Sequence, residues 1–389
     1  MKLKGLPLKL DVYDASETFT NTHFKEFKMP EFEAVYLPES MQPFTCVNPS
    51  DTKEFIVDDN RGAVGVLPSL KLDGTDFYLS VKGVGSTTNP FSHQLLEKAQ
   101  ICSLLKDGQL KDRIVNYETK VPRYITGELW LRGSPYGGQG LEHATTSMKI
   151  SEMADFTSIH GFRVAPLVKI VFLPEDLENG IREVYWYRRF AGRIVQETRI
   201  VPSNVRIYFH SKATIGGNAS AIFNLFGIDE DDKALQFLKN FIKSGIAFLT
   251  LFTRSIRNNE DGTFSGLDFY DVWLDKDAVL APDGTIFFVD LEGLEWITVP
   301  EKKVHEKIDD QIYRSLYEFM FAYEQIEQER CKRFGQAADR KTHFEYLLRE
   351  ALKDDAIVDL TREGNSLMLV VGNTLKEQGL IKNFPIIDW

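Results

Sequence analysis

DKDAVLAPDGTIFFVDLEG, residues 275–293, sets a Pro282-Asp283-Gly284 turn between two apolar runs and ends the second of them, Thr285–Val289, on Asp290. A run of β-branched and aromatic residues of this kind belongs in a buried strand. A carboxylate at the end of such a strand has to be solvated, paired with a cation or bound to a metal. Asp271, Asp275 and Asp277 precede the turn, and the region of 285–289 reads as a strand pair.

The rest of the chain can supply a core for that pair. It has 389 residues, 43% hydrophobic and 12% aromatic, which is enough for one large two-lobed domain or two ordinary ones. A formal net charge of -11 argues against charge-driven binding to nucleic acid or to an anionic membrane. Cys46, Cys102 and Cys331 stand far apart with no CxxC pair, so neither a disulfide framework nor a zinc site is expected. The N-terminus meets Asp11 before an apolar run of signal-peptide length develops, and the reading is of a soluble cytoplasmic protein.

Upstream of residue 56 the sequence reads as an irregular arm, residues 1–55. Residues 56–207 read as a β-rich lobe: a hairpin over Gly62–Ser80 turning at Asp73-Gly74, strands in ITGELWLRG, VAPLVKIVFL and REVYWYRRFAGRIVQETRIV, a helical segment within 93–118, and a marked helix from Gln139 to a stop at Gly161. From 208 to 389 the apolar residues recur at helical spacing, in ASAIFNLFGI, KALQFLKNFIKSGIAFLTLFTRSIR, HEKIDDQIYRSLYEFMFAYEQIEQERCKRFG and KTHFEYLLREALKDD, and the strand pair around 285–289 is the one interruption expected. The fold class is therefore α+β. A β-rich lobe followed by a mainly helical lobe, with a short strand ending in an acid inside the latter, is the layout of a protein-kinase-like fold.

Such a fold holds nucleotide phosphates with a strand lysine, an acid that orients it, and oxygen ligands for a hard cation. Lys82 is the strand lysine, with Glu142 or Glu152 on the helix as its partner; Asp277 and Asp290 are the ligands for Mg²⁺ or Mn²⁺. Each also has an ordinary reading: a solvated lysine, an acidic surface loop, a strand-end carboxylate on a structural arginine.

Three segments resemble the selenoprotein O family. LSVKGVGSTTNPFS is similar to its K-G-x-G-x-T-P-x-S segment, with Lys82, Gly83 and Gly85 in place. TRIVPSNVR is similar to its T-R-V-A-P-S-x-x-R segment, matching at Arg199, Pro202, Ser203 and Arg206. YGGQGLEHATTSMKISEMADFTSIHGFRVAPLV lies without a gap on its helix, with Ser151-Glu152 in register. The resemblance spans roughly residues 60–295. It implies a kinase-like fold that binds ATP inverted and transfers AMP to protein hydroxyls, with Arg199 and Arg206 on the γ-phosphate. Planar bidentate donors suit that task.

The chain departs from the family's pattern in named places. Ser147 falls where the family has the lysine's glutamate, and Lys276-Asp277 corresponds to its Asp-Asn pair, so Asp275 or Asp271 is left as the candidate base. Leu-Glu-Gly follows Asp290 instead of Tyr-Gly, and IKNFPIIDW lacks the family's terminal cysteine or selenocysteine motif. The expectation is metal-dependent AMP transfer from ATP to a protein acceptor. A pseudoenzyme that binds nucleotide without turnover, or a conventional phosphotransferase, is the alternative.

Overall fold

The computed structural model describes Leu3 and residues 6–15, 17–25, 34–36, 50–57, 62–72, 74–84, 139–184, 192–206, 215–269, 274, 277–336, 340–363, 366–380 and 383–387. The chain divides into two compact units, one of residues 4–152 with 166–201, the other of 1–3, 153–165 and 202–389. The segments expected as a helix within 93–118 and as a strand at ITGELWLRG lie outside the described residues.

The first unit is a nine-stranded antiparallel sheet. Its strands are β1 (Leu6–Tyr13), β2 (Glu17–Thr20), β3 (Ala34–Tyr36), β4 (Asp51–Val57), β5 (Gly62–Leu72), β6 (Thr75–Lys82) and β7 (Gln139–Gly140), followed by helix α1 (Leu141–Met153). The chain next forms a two-strand hairpin of the other unit, β8 (Ser158–Ile159) and β9 (Phe162–Arg163). It returns as β10 (Leu167–Phe172), α2 (Glu175–Val184) and β11 (Ile194–Val201). The sheet order is β2-β10-β11-β6-β5-β4-β1-β3, with β7 alongside β11.

The expected hairpin is present: Leu72 faces Thr75 across a turn whose Gly74 has φ 81°. Within residues 1–55, expected as an irregular arm, the described segments include the strands β1, β2, β3 and the start of β4. Leu6, Leu8, Leu10 and Val12 alternate along β1, and Leu10 and Val12 are fully buried against Phe55, Ala63, Val81 and Val84, with Leu8 packed on that cluster. Period-two alternation of this kind is what a half-buried strand requires. The helix expected to reach Gly161 stops at Met153. Phe156 and His160 take positive φ (50° and 49°), and Gly161, at φ 80°, turns the β8/β9 hairpin. Of the strand expected from Arg182, residues 182–184 belong to the helix α2, Ile194–Val201 is the strand β11, and 185–191 lie outside the described residues.

The second unit holds α3 (Ile215–Phe226), α4 (Asp231–Leu249), α5 (Leu251–Ser255), β12 (Arg257–Asn258), β13 (Thr263–Phe269), β14 (Ala278–Leu280), β15 (Ile286–Phe288), β16 (Leu294–Pro300), α6 (Val304–Phe334), α7 (Arg340–Leu352), β17 (Val358–Glu363), β18 (Ser366–Val371), α8 (Asn373–Glu377) and β19 (Asn383–Ile387). The helices follow the expected periodicity, and Gly335 at φ 70° closes α6 as a left-handed C-cap. This part is less helical than expected. Besides the β14/β15 pair it contains the sheets β12-β13-β16 and β17-β18-β19.

Its core is aromatic. Phe248 of α4 stacks on Phe269 and Phe288, each at 4.2 Å between ring centroids, and on Phe162 at 5.5 Å. Offset stacks of this type add stability beyond the area they bury. Gly245 has no Cβ because Phe319 of α6 occupies that space, which is how α4 and α6 come into close contact. Among the described residues no helix is long and apolar enough to cross a membrane.

Candidate functional site

In the second unit, the β14/β15 hairpin answers the question posed by its sequence. Ala278 pairs with Phe288, Val279 with Phe287 and Leu280 with Ile286. The Val289 N–H donates to the Asp277 carbonyl at 2.8 Å, so the pairing runs one step beyond the strands. Asp277 enters β14 and Asp290 follows β15, and the register therefore carries both acids to the open end of one hairpin. Asp277 is 2% exposed and Asp290 half-buried.

The turn at the closed end is held by Gly284, at φ 94°, where any Cβ would run into the Phe237 carbonyl of α4. Asp283 Oδ1 accepts from the Thr285 N–H at 2.9 Å, the local bond typical of an Asp in a turn.

Both edges of the hairpin are lined. Arg206 forms an antiparallel bridge with Val279, and Val164 a parallel one with Phe288. Ser203 explains the Pro-Ser element: its hydroxyl donates to the Leu280 carbonyl and accepts from the Val205 N–H at 3.0 Å, while the Leu280 N–H donates to the Val205 carbonyl at 2.8 Å. The sequence-predicted Arg206, Asp277 and Asp290 are thus brought to one small ribbon. Asp271 and Asp275 lie outside the described residues.

Described residues beside these acids are held by α6. Arg314 of α6 donates to the Phe269 carbonyl and to Asp268 Oδ1 at 2.9 Å. Leu274, between the two acids, donates its N–H to Glu318 Oε2 at 3.1 Å. Glu318 went unnoticed in the sequence because it occupies an ordinary helical position.

In the first unit, β11 is buried along its whole length although its middle reads Gln-Glu-Thr-Arg. It lies between β10 and β6, so it is central, and Arg199 is an interior residue of the sheet. Arg199 is 3% exposed. Its Nη2 donates to Glu197 Oε2 at 2.6 Å and to Ser147 Oγ of α1 at 3.3 Å. Val195, Glu197 and Arg199 alternate onto the sheet face that α1 covers, where Ala144 and Met148 pack with Leu167, Ile170, Phe172 and Val195. Lys82 stands opposite Glu197, and Ser80 opposite Arg199, in the β6/β11 register.

Gly83, at φ 100°, leaves β6 in a conformation that suits glycine, and its carbonyl accepts from Gln196 Nε2 at 3.0 Å; Gly85 lies outside the described residues. Of the helix glutamates, Glu142 is exposed in the first turn of α1. Glu152 Oε1 accepts from the Thr22 N–H at 3.2 Å. The acid that sequence reading missed is Glu197, wholly buried two residues before Arg199.

Among the described residues no group of three or more His, Cys, Asp or Glu is arranged to hold a metal ion. Two carboxylates fit a Mg²⁺ ion whose remaining ligands are water and substrate phosphates. No protein-family model matches the chain, and no curated protein matches it.

Proposed function

We propose that the chain is a metal-dependent nucleotidyltransferase of protein-kinase-like build that moves AMP from ATP to a protein hydroxyl. The observation that carries this reading is the register of the β14/β15 hairpin, which delivers Asp277 and Asp290 to one open end. Strand order supports the kinase-like plan: β4, β5 and β6 run as a meander, α1 follows, and β11 comes back beside β6 with β10 outside it. In that plan the nucleotide lysine sits on the third strand of the meander, the place of Lys82.

The roles follow from the residue types. Lys82 holds the α/β-phosphates, Gly83 and Gly85 leave room for backbone approach, and Arg199 and Arg206 take the terminal phosphate. Asp277 and Asp290 would hold Mg²⁺ or Mn²⁺, which supplies charge neutralisation at the phosphates. The acceptor oxygen attacks the α-phosphorus, the new O–P bond forms as the bond to pyrophosphate breaks, and the hydroxyl proton passes to Asp275 or Asp271. The α-phosphoryl group stays on the acceptor as AMP, and pyrophosphate leaves with the electron pair.

Arg199 favours a second reading as well. Its engagement by Glu197 and Ser147 is what a nucleotide-binding pseudoenzyme would retain for structure alone. A conventional phosphotransferase would use the same acids and lysine without the arginines.

ATP labelled separately at the α and γ phosphorus separates the three. Covalent α-label without γ-label supports AMP transfer, γ-label alone indicates a phosphotransferase, and binding without label indicates the pseudoenzyme.

A further inference from the structure

We infer that Arg257, His160 and Trp296 form a phosphate-binding site on the β12-β13-β16 sheet, separate from the β14/β15 hairpin and independent of the nucleotide reading. Its ligand is a phosphate group, free or carried as a monoester on a side chain.

The sheet register assembles the arginine and the tryptophan. Arg257 faces Ser265 across β12 and β13, and Trp296 faces Leu267 across β13 and β16. Opposed residues share a face, and so do residues two apart along a strand, so Arg257 and Trp296 stand diagonally on one face with β13 between them. The guanidinium carbon lies 3.8 Å from the centre of the indole ring. A stacked guanidinium uses its flat face on the ring and keeps its N–H groups in plane, along an edge that fits two oxygens of a phosphate.

That edge is not taken up by an acid. Arg193, Arg199, Arg254, Arg314, Arg330 and Arg333 each reach a carboxylate. Arg257 is exposed and has neither an ion pair nor a hydrogen bond among the described residues. In a chain of formal net charge -11, a guanidinium that is held in place and left unneutralised is a local attraction for an anion.

His160 supplies a second donor. It sits in the turn of the β8/β9 hairpin beside Gly161, where a Cβ would lie 3.4 Å from Arg254 Nη1. Arg254 is itself fixed, by Asp355 and by Thr250 Oγ1 at 2.8 Å, so the turn rests on an anchored side chain. The imidazole meets Trp296 edge to face, with 6.5 Å between ring centroids. Burial and then the Arg257 charge lower its pKa, and no carboxylate offsets them. The imidazole and the guanidinium therefore flank one indole within electrostatic reach of each other.

The test is calorimetric titration of the full chain at low ionic strength with inorganic phosphate, with N-acetyl-O-phosphoserine amide and with acetate. Arg257→Gln and Arg257→Lys are each expected to weaken phosphate binding about tenfold, since the lysine keeps the charge but loses the planar fork. His160→Asn, a residue that tolerates the left-handed backbone there (φ 49°), is expected to weaken it as well. Because Arg257 is exposed, its replacement removes no contact from the core.

Tighter binding of the phosphoserine amide than of inorganic phosphate supports a site for phosphorylated side chains, and equal or weaker binding supports one for free phosphate. Absence of phosphate binding by the unaltered chain overturns the inference. So does binding that either Arg257 variant leaves unmoved, which would place the phosphate elsewhere or make it a matter of charge alone, and so does acetate binding as tightly as phosphate.

Discussion

Arg199 Nη2 lies 2.6 Å from Glu197 Oε2, both residues on one central strand and both almost wholly shut from solvent. Removing either partner strands the other charge in the interior. Arg199→Met or Glu197→Gln alone should cost about 3–5 kcal/mol of stability, and the double variant clearly less than the sum of the two. Urea denaturation of the three variants measures this, and additive losses would show that the two charges do not depend on one another.

Because Arg199 is tied into the interior, Arg206 is the cleaner probe of the proposed γ-phosphate role. It is half-buried at the edge of β14, and its backbone bridge to Val279 survives a side-chain change. Arg206→Met should lower AMP transfer by about 10²-fold, in line with losing a charge-stabilising donor. Equal loss of α- and γ-phosphoryl chemistry would contradict that role.

Glu327 of α6 gives the fold a defined acid limit. Burial raises its pKa, but hydrogen bonds from Arg330 (2.7 and 2.8 Å) and from the His343 ring (2.8 Å) outweigh it and bring the value to about 2, against an ordinary 4.5. A depressed folded value means that the contribution is complete above pH 4.5 and is lost as pH falls towards 2. The amount at stake is on the order of 3 kcal/mol. Glu327→Gln should be less stable near neutrality and should show a smaller fall in stability between pH 4.5 and 2 than the unaltered chain. Melting temperatures across that range check it, and an undiminished slope in the variant would contradict it.

Two turn glycines should differ sharply. Gly74 has φ 81° but open space around its Cα, so Gly74→Ala should cost about 1 kcal/mol from backbone strain. Gly284 combines φ 94° with the Phe237 carbonyl where a Cβ would sit. Gly284→Ala should therefore be the more destabilising by several kcal/mol and should displace the hairpin that carries Asp277 and Asp290. Chemical denaturation compares the pair, and similar losses would show that the Phe237 contact is not decisive.

The turns were the most legible part of the sequence. Asp73-Gly74 and Pro282-Asp283-Gly284 each declared a hairpin, because positive φ at glycine has few substitutes. The helices of the second unit declared themselves through their apolar spacing. Signals for β1 and for the C-terminal sheet were also present, in the alternation LPLKLDVY and in VDLTREGNSLMLVV, whose strands pair with Glu363 opposite Ser366.

Glu197 had no such signal. A strand reading Ile-Val-Gln-Glu-Thr-Arg-Ile-Val looks like an edge, and only the return of β11 between β10 and β6 makes its polar middle interior. Central position is a property of long-range pairing, which local pattern does not encode. For the same reason Glu318 was invisible, since the Leu274 N–H that it accepts lies 44 positions away in sequence.

The most direct test of the account is the thermal stability of the unaltered chain and of its Asp290→Ala variant with ATP and Mg²⁺, each alone and together. The account predicts a rise in melting temperature with Mg·ATP that neither component gives alone and that Asp290→Ala abolishes, as ligand linkage requires of a site that includes this acid. No rise in the unaltered chain, or an equal rise in the variant, would contradict the claim that the open end of the β14/β15 hairpin is the metal end of a nucleotide site.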